Sequence, residues 1–238
     1  MKLLAFETAT EACSVALYLD GEIRERFEVA PRRHAELALP WADALLAEAG
    51  IARAQLDAVA VGRGPGAFTG VRLAVALAQG IALALDRPAI PVSTLAALAA
   101  NARLFIGEGD NVLAAIDARM GEIYAATFRR VGEDLIATSD EAVCAPDAYF
   151  LPEAKLGDWF GVGTGFAAMD GTLCNRLEAV GFRGINPAAL PHAADVARLA
   201  ADAFARGEVV APERLEPAYL RNNVALTLAQ QKALKAEK

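Results

Sequence analysis

The chain shows the same order of short strands twice, and this repetition limits the folds that it can adopt. The first copy, residues 4–27, reads as three strands with an Asp-Gly hairpin signal between the last two. The second copy, residues 112–128, reads as an apolar strand, a tight connection and a second strand. Each copy closes its first strand with an acid, Glu7 in one and Asp117 in the other.

A second feature also occurs twice, in the same order. Residues 58–64 are a buried strand that runs into glycines, residues 159–165 are another, and each precedes a helix candidate. Few residues match between the copies, so the duplication depends on order and spacing. Coincidence is the alternative, because βαβ proteins repeat such turns in any case. The pattern predicts a duplicated α/β chain.

The length of 238 residues suits two compact lobes. We place the first lobe at residues 1–108 and a smaller second lobe at residues 109–223. An Ala-rich helix is predicted over residues 193–206, and a polar helix over residues 226–236 ends the chain. Residues 224–238 could pack back on the first lobe.

Two predicted helices of the first lobe are more apolar than one core requires. The first covers residues 31–49, stops at Gly50, and carries two adjacent apolar stripes. The stripes are Leu37, Trp41 and Leu45, and Leu39, Ala42 and Leu46. The second, residues 69–85, is apolar almost all round and rich in alanine. Either another chain completes a bundle around these helices, or both are well-buried core helices.

The composition narrows the class of protein. Net charge is −7 with a pI near 5.0, which argues against tight, unaided binding to nucleic acid. The three widely spaced cysteines, Cys13, Cys144 and Cys174, read as reduced thiols of a cytoplasmic protein. The start has no signal-peptide pattern, and the longest apolar stretch, residues 71–85, reads as too short to span a bilayer. We therefore expect a soluble protein without a membrane partner.

A glycine-rich loop follows the strand at residues 58–62. Residues 62–67 match a dinucleotide-binding pattern, but the next strand ends in Ser93 and not in an acid. A Walker A loop is excluded because Val71 stands where that motif needs lysine. The loop at residues 62–70 could still hold an anion at a helix N-terminus. The alternative is a tight turn in which no side chain fits.

The candidate catalytic and metal-binding groups are few. His34 has Ala38 at i+4, and the only other histidine, His192, lies far away in sequence. A zinc or iron site is therefore not expected, and His34 is interpreted as a capping or interface residue. Glu7 and Asp117 occupy the places where a phosphate-bound magnesium would lie in an ATPase of this architecture. Strand-end acids are also common without any such role.

Five blocks of sequence carry a resemblance to a known family. They are residues 4–10 (LAFETAT), 33–37 (RHAEL), 64–72 (GPGAFTGVR), 117–124 (DARMGEIY) and 217–221 (PAYLR). In this order, and over nearly the whole chain, they resemble the bacterial TsaB (YeaZ) family. The third and fourth blocks are the specific ones, whereas the first is shared with larger relatives.

The resemblance implies an α/β fold of the duplicated actin-like ATPase (Hsp70/actin-like) class, with two lobes that each contain a mixed sheet flanked by helices. It implies a non-catalytic part in making N6-threonylcarbamoyladenosine at position 37 of tRNAs that read ANN codons. The catalytic paralogue, TsaD, is of a type that binds a metal through His-x-x-x-His. Here His34 matches the first histidine, but Ala38 stands at the second. Catalysis by this chain is therefore not expected.

The resemblance also implies partners. The chain should bind TsaD, and with it the ATPase TsaE, through the two first-lobe helices, form a homodimer when alone, and reach tRNA only indirectly. The implied interface residues are His34, Leu37, Leu39, Trp41, Ala42, Leu45, Leu46, Val71, Arg72, Val75, Ala78 and Ala82. Candidates for binding an anion, or weakly binding ATP or ADP with magnesium, are Glu7, Thr8, Gly64, Gly66, Gly70, Asp117, Gly163 and Gly165. Arg63, Arg72 and Arg119 are candidates for partner or anion contacts.

Three rival functions stay open at this point. An active ATPase or small-molecule kinase of the same fold would bind ATP with magnesium near Glu7 and Asp117. A metal-independent peptidase acting on the paralogue would need a nucleophile that the sequence does not reveal. A dinucleotide-dependent oxidoreductase is disfavoured by Ser93. If the two first-lobe helices bind a partner, Leu45→Arg or Ala78→Arg should abolish association and leave the fold largely intact.

Overall fold

The computed structural model describes residues 1–151 and 158–221, which form two β-sheets. The strands of the first sheet are β1 Lys2–Glu7, β2 Ala12–Leu19, β3 Glu22–Val29, β4 Ala58–Gly62 and β5 Ala89–Val92. They lie in the order β3-β2-β1-β4-β5. The predicted hairpin between β2 and β3 is confirmed, since Asp20 and Gly21 have φ values of 47° and 104°. Positive φ at both turn residues is typical of a two-residue hairpin.

The second sheet is built from the second half of the chain. Its strands are β6 Asn111–Arg119, β7 Glu122–Val131, β8 Asp134–Ala137, β9 Ala142–Cys144, β10 Trp159–Val162 and β11 Gly184–Asn186. The order is β11-β10-β6-β7-β8, and β9 also pairs with β7.

The two sheets have the same topology. In the first, β1 pairs antiparallel with β2 and parallel with β4. In the second, β6 pairs antiparallel with β7 and parallel with β10. Each sheet therefore joins an antiparallel meander to two parallel strands, with β1 and β6 in corresponding central positions. The predicted duplication is confirmed.

Helices cover both faces of each sheet. Their bounds are α1 His34–Glu48, α2 Phe68–Leu85, α3 Thr94–Ala100, α4 Thr172–Arg176 and α5 Ala193–Ala205. Successive side chains of β1 point to opposite faces, as the pleat of a strand requires. Leu4 and Phe6 pack with α1 and α2, whereas Leu3 and Ala5 pack with α5. In the same way, the second sheet packs with α3 on one face and with α4 on the other.

Some helices differ from their predicted extents. Helix α1 begins at His34, because the three residues before it form a turn. After β10 the predicted helix is replaced by two 3₁₀ turns and the five-residue α4. Met169 and Asp170 interrupt this region with φ values of 50° and 56°, which no right-handed helix contains. Helix α5 ends within one residue of its prediction.

Helix α5 lies late in the chain but packs on the first sheet. The boundary between the lobes at residue 108 stays a prediction. The packing of α5 does not follow this boundary, because the helix comes after residue 108 and packs on the first sheet. The predicted helix over residues 226–236, and the packing of residues 224–238 on the first lobe, lie outside the described residues.

Helix α2 has 18 residues and is long and apolar enough to cross a membrane by length and composition. The prediction that this segment is too short was wrong, because the helix begins at Phe68. One side of α2 packs against the first sheet and α1 in the manner of a core helix. The buried residues are Gly70, Val71, Ala74, Val75, Ala78 and Ala82.

Candidate functional site

A cavity of about 480 Å³ lies where the two lobes face each other. The loop after β1 and the first residues of α1 and α2 form one side, and residues 116–119 with Tyr124 form the other. Among the residues predicted for a site, His34, Gly66, Gly70, Asp117 and Arg119 line this cavity. Its volume is in the range of small-molecule sites.

Glu7 ends β1 but does not line the cavity. It is 1% exposed, its Oε1 accepts a hydrogen bond from the Ala9 N–H at 2.7 Å, and its Oε2 accepts one from Thr94 Oγ1 at 3.0 Å. Burial raises the pKa of the Glu7 carboxyl from 4.5 to about 7, although these hydrogen bonds act in the opposite direction. Asp117 therefore lines the cavity and Glu7 does not. That these two acids flank a magnesium ion stays a prediction.

The glycine-rich loop before α2 packs directly on the loop after β1. A Cβ on Gly66 would lie 2.4 Å from the carbonyl oxygen of Ala9, and one on Gly70 would lie 2.0 Å from that of Thr8. Thr8 Oγ1 donates to the Gly70 carbonyl at 2.7 Å, and the Ala67 N–H donates to the Ala9 carbonyl at 2.7 Å. These glycines are thus required by the close approach of two backbones, which is the tight-turn interpretation.

The other predicted glycines also serve packing. Gly64 has a φ of 97°, and a Cβ there would lie 3.3 Å from Val71. Gly163 has a φ of 107°, and its Cβ would lie 2.3 Å from the carbonyl oxygen of Ala115. A Cβ on Gly165 would lie 2.7 Å from the Ala115 Cβ. The loop after β10 can therefore cross β6 closely only because Gly163 and Gly165 have no side chain at the points of contact.

Asp117 is a half-exposed acid that lines the cavity, as is Glu11. Its Oδ1 accepts the Arg119 N–H at 2.7 Å, and its Oδ2 pairs with Arg119 Nη1 at 2.8 Å. Its own N–H donates to Thr164 Oγ1 at 3.0 Å. Arg119 and the next residue, Met120, have φ values of 61° and 57°. The tip of the hairpin thus bends back, so that the guanidinium of Arg119 pairs with the carboxylate of Asp117.

His34 lies at the start of α1, with its Nε2 3.0 Å from the carbonyl oxygen of Thr10. The ring therefore ties α1 to the loop after β1. The capping interpretation was wrong, because the helix start has no side-chain cap hydrogen bond. Ala38, one turn later, is buried and offers no ligand atom. Within residues 1–151 and 158–221, no group of three or more His, Cys, Asp or Glu residues could hold a metal ion.

The other candidate arginines are engaged by residues that sequence reasoning missed. Arg63 forms a two-pronged pair with Glu141, at 3.2 and 3.3 Å. Arg72 donates to the Tyr219 hydroxyl at 2.8 Å and stacks over the Phe68 ring at 3.3 Å. Glu141 is 78 residues from Arg63 in the chain, and Tyr219 is 147 residues from Arg72. Local sequence patterns carry no signal for such contacts.

A second depression, the α1–α2 groove, lies on the outer side of the first lobe. It has a volume of about 350 Å³ and is mostly apolar. It is lined by Leu4, Leu39, Ala42, Asp43, Leu46, Arg53, Leu56, Gly80, Ile81, Ala84 and Leu85. Asp43 and Arg53 form an ion pair of 2.7 Å at its edge. A Cβ on Gly80 would meet nothing within 4 Å, so the groove is open at that point.

Most residues predicted for the interface belong to the protein's own core. The buried ones are Ala42, Leu45, Leu46, Val71, Val75, Ala78 and Ala82. Leu37 and Trp41 are half-buried against that core, and Leu39 is 45% exposed. The expectation that Leu45→Arg or Ala78→Arg would leave the fold intact was wrong, because these side chains are 2% and 0% exposed. An arginine at either position would bury an unpaired charge.

The sequence and the fold were compared with known proteins. A model of the family described as "TsaD: tRNA N6-adenosine threonylcarbamoyltransferase" matches residues 27–229. An Escherichia coli tRNA threonylcarbamoyladenosine biosynthesis protein TsaB is 43% identical, over 94% of this chain and 96% of its own length. The Haemophilus influenzae protein of that name is 38% identical, over 94% and 95% of the two chains.

Two solved structures have the same fold over nearly their full length. One is YeaZ from Pseudomonas aeruginosa, with a TM-score of 0.82 and 44% identity over 92% of this chain and 99% of that one. The other is a Pseudomonas aeruginosa protein described as similar to the peptidase YEAZ, with a TM-score of 0.85, 44% identity and the same coverage. With the two mixed sheets described above, these matches confirm the duplicated actin-like fold.

Proposed function

The chain belongs to the TsaB family of tRNA threonylcarbamoyladenosine biosynthesis proteins, and from this premise we propose that it is a non-catalytic subunit of a cytoplasmic complex. Its α1–α2 groove binds the larger, TsaD-like catalytic paralogue and thereby activates it. The same face forms a homodimer when the paralogue is absent. A TsaE-like ATPase joins through the resulting complex. With a net charge of −7, the chain reaches tRNA only through its partners.

The groove is the observation that carries this proposal. Its floor is the core of the first lobe, formed in part by Leu4 and Leu56, so partner side chains entering it would reach buried apolar surface. Leu39, which lines the groove, is 45% exposed. Gly80 leaves room for a close backbone approach. An apolar centre with a charged pair at its edge is the usual composition of a protein interface.

The described residues offer little for catalysis by this chain itself. Serine, acid and histidine meet in one place, where Ser14 Oγ donates to Glu25 at 2.7 Å and His192 Nδ1 lies 3.0 Å from the same carboxylate. Ser14 is fully buried, and its hydroxyl is bound to the acid and not to the histidine. A hydrolytic nucleophile needs the reverse order, with the histidine next to the serine. This geometry disfavours the peptidase alternative.

Gly80→Arg tests the groove. The new side chain points into open space and replaces a helix-interior glycine, so we expect folding to be retained. It should fill the groove and weaken both self-association and binding to the paralogue at least about tenfold. Ala205→Arg is the matched control, because Ala205 is exposed at the end of α5 on the opposite face of the sheet. Unchanged association of a folded Gly80→Arg protein would contradict the proposed face.

Reconstitution tests the wider proposal. Purified paralogue, ATPase and tRNA should show strongly reduced threonylcarbamoyladenosine formation without this chain, and full formation when the wild-type chain is added. Gly80→Arg should restore little, and Ala205→Arg should restore as much as wild type. Full modification in the absence of the chain would exclude an activating role.

A nucleotide in the cavity between the lobes is the alternative function. The cavity volume of about 480 Å³, the uncapped start of α2 and the acidic Asp117 favour it. Titration calorimetry with ADP and magnesium measures it directly. Binding in the micromolar range that is lost in Asp117→Asn would support an ATPase or kinase. On the proposal above, we expect weak binding or none.

A further inference from the structure

Side chains of the first sheet cap the start of α5. The N–H of Ala193 donates to Ser14 Oγ at 2.9 Å, and the N–H of Ala194 donates to Glu25 Oε1 at 3.1 Å. The N-cap residue of the helix, His192, makes no side-chain cap bond. Two of the free N–H groups at this helix end are therefore satisfied by strands β2 and β3.

His192 faces the same carboxylate. Its Nδ1 lies 3.0 Å from Glu25 Oε2, although the two residues are 167 positions apart. Its ring stacks on Phe27 of β3, with 4.1 Å between the ring centroids and an interplanar angle of 10°. The stacking fixes the ring plane, and the hydrogen bond fixes which nitrogen faces β3. Both side chains are mostly shielded, with 30% exposure for His192 and 21% for Glu25.

Other charges complete the surroundings of the pair. Asp195, on the first turn of α5, faces His192 and pairs with Arg198 Nη1 at 2.7 Å. Arg103, from the segment after α3, also acts on the Asp195 carboxylate. Two carboxylates therefore act on His192: Glu25 through the hydrogen bond, and Asp195, which is paired with Arg198, through its charge.

We propose that Glu25 and His192 form a pH-dependent clasp that fastens the edge strand β3 to the start of α5. The clasp is closed when His192 is protonated and Glu25 is ionised. When His192 is neutral, an Nδ1–H can still donate to Glu25, but the hydrogen bond loses its charge assistance. Among the described residues β3 pairs only with β2, so this contact on the face of the sheet is a second attachment for an edge strand.

The clasp also bears on α1. The side chains of β3 alternate, and Arg24 and Arg26 point away from α5. Arg24 donates to the Glu48 carbonyl at 3.2 Å, and Arg26 pairs with the Glu48 carboxylate at the end of α1. A looser β3 would therefore hold the end of α1 less firmly.

The pKa shifts define the pH window. The hydrogen bond to Glu25 raises the pKa of His192, although burial acts against it, so its contribution is fully present below pH 6.5 and lost as pH rises through the higher folded value. Burial would raise the pKa of Glu25, but the bonds from His192 and Ser14 lower it overall. Its contribution is present above pH 4.5 and lost as pH falls through the lower folded value. The clasp is tightest between pH 4.5 and 6.5.

Proton NMR of the two histidines tests the clasp, because His192→Gln identifies the His192 signal. The pKa of His192 should lie above 6.5 in the wild type and fall to 6.5 or below in Glu25→Gln. Glu22→Gln is the matched control, since Glu22 is on the same strand and its side chain pairs with Arg24 and not with His192 in the part of the chain that the structure describes. It should leave the His192 titration unchanged.

Hydrogen exchange measures the consequence. Corrected for intrinsic pH effects, protection of the Ala194 amide should fall roughly threefold between about pH 5.5 and about pH 8.5 in the wild type, as a hydrogen bond loses charge assistance. Leu113, in the second sheet, should show no such change in Glu7→Gln, the variant that removes the global loss of stability caused by ionisation of Glu7 over the same pH range. A wild-type His192 that titrates at or below 6.5, or Ala194 protection independent of pH, would overturn the clasp. Both readouts are available in the wild type, so a variant that fails to fold does not weaken the test.

Discussion

Replacing Glu7 by glutamine is expected to stabilise the protein at alkaline pH and to leave its stability in mild acid nearly unchanged. Burial raises the pKa of Glu7 from 4.5 to about 7, so the folded protein holds this proton more tightly than the unfolded chain does. The stability gained is fully present below pH 4.5 and is lost as pH rises through about 7. At about 1.4 kcal/mol per pKa unit, this loss amounts to roughly 3 kcal/mol.

Glutamine can occupy the same position. Its amide oxygen can accept the Ala9 N–H, and its amide group can donate to Thr94 Oγ1, which now donates to Glu7 Oε2. Glutamine carries no charge at any pH, so the variant lacks the cost of ionising a buried carboxyl. We therefore expect Glu7→Gln to exceed the wild type by roughly 2–3 kcal/mol at about pH 8, and to match it near pH 4.5.

Urea unfolding at several pH values and constant ionic strength measures this difference. The contribution of His192 is the same in both proteins and cancels when they are compared. Glu178→Gln, at an exposed position, serves as the control and should follow the wild type. If the wild type and Glu7→Gln lose stability equally between about pH 4.5 and about pH 8, Glu7 does not carry a raised pKa and the reasoning from burial fails.

Three further predictions follow from packing. Gly163→Ala should lower the free energy of unfolding by more than about 3 kcal/mol, because the Cβ would lie 2.3 Å from a carbonyl oxygen. Gly80→Ala should raise the free energy of unfolding by about 0.5–1 kcal/mol, because its Cβ meets nothing within 4 Å. Urea unfolding of the two variants measures both changes. In the same assay, Leu45→Ala should lower the free energy of unfolding by about 2–5 kcal/mol, and Leu39→Ala, at an exposed position, by about 0.5 kcal/mol or less. Equal losses would contradict the burial of Leu45. Burial raises the pKa of the Cys13 thiol to about 11, so mass spectrometry should find it the last of the three cysteines to be alkylated under native conditions.

Local signals in the sequence were sufficient for eight of the eleven strands that the structure describes, and the short β8, β9 and β11 were not predicted. The short strands on either side of the Asp-Gly pair at residues 20 and 21 predict a hairpin, and β2 and β3 form one. These signals depend on neighbours in the chain, so tertiary contacts seldom override them. The glycine loop was similar, because a run of glycines after a strand already indicates that a backbone passes close by. The structure added which backbone it is, that of Thr8 and Ala9.

The orientation of α1 and α2 was beyond the sequence. An apolar arc that is wide enough for two surfaces does not reveal which part faces the protein's own sheet. The sheet takes Leu45 and Ala78, and the outer surface is left with Leu39 and the open space above Gly80. The predicted interface therefore included many residues of the protein's own core, and that these two helices carry an interface stays a prediction.

The sequence by itself determined the repeated strand order, the turn positions and, through five motif blocks, the family. These follow from backbone propensities and from residue patterns that lie close together in the chain. Only the tertiary structure decided that Glu7 is buried away from the cavity while Asp117 lines it. It alone brought Glu25 to His192, 167 residues apart. The physical reason is that burial and charge pairing depend on which distant segments meet, and the order of residues along the chain does not specify these distances.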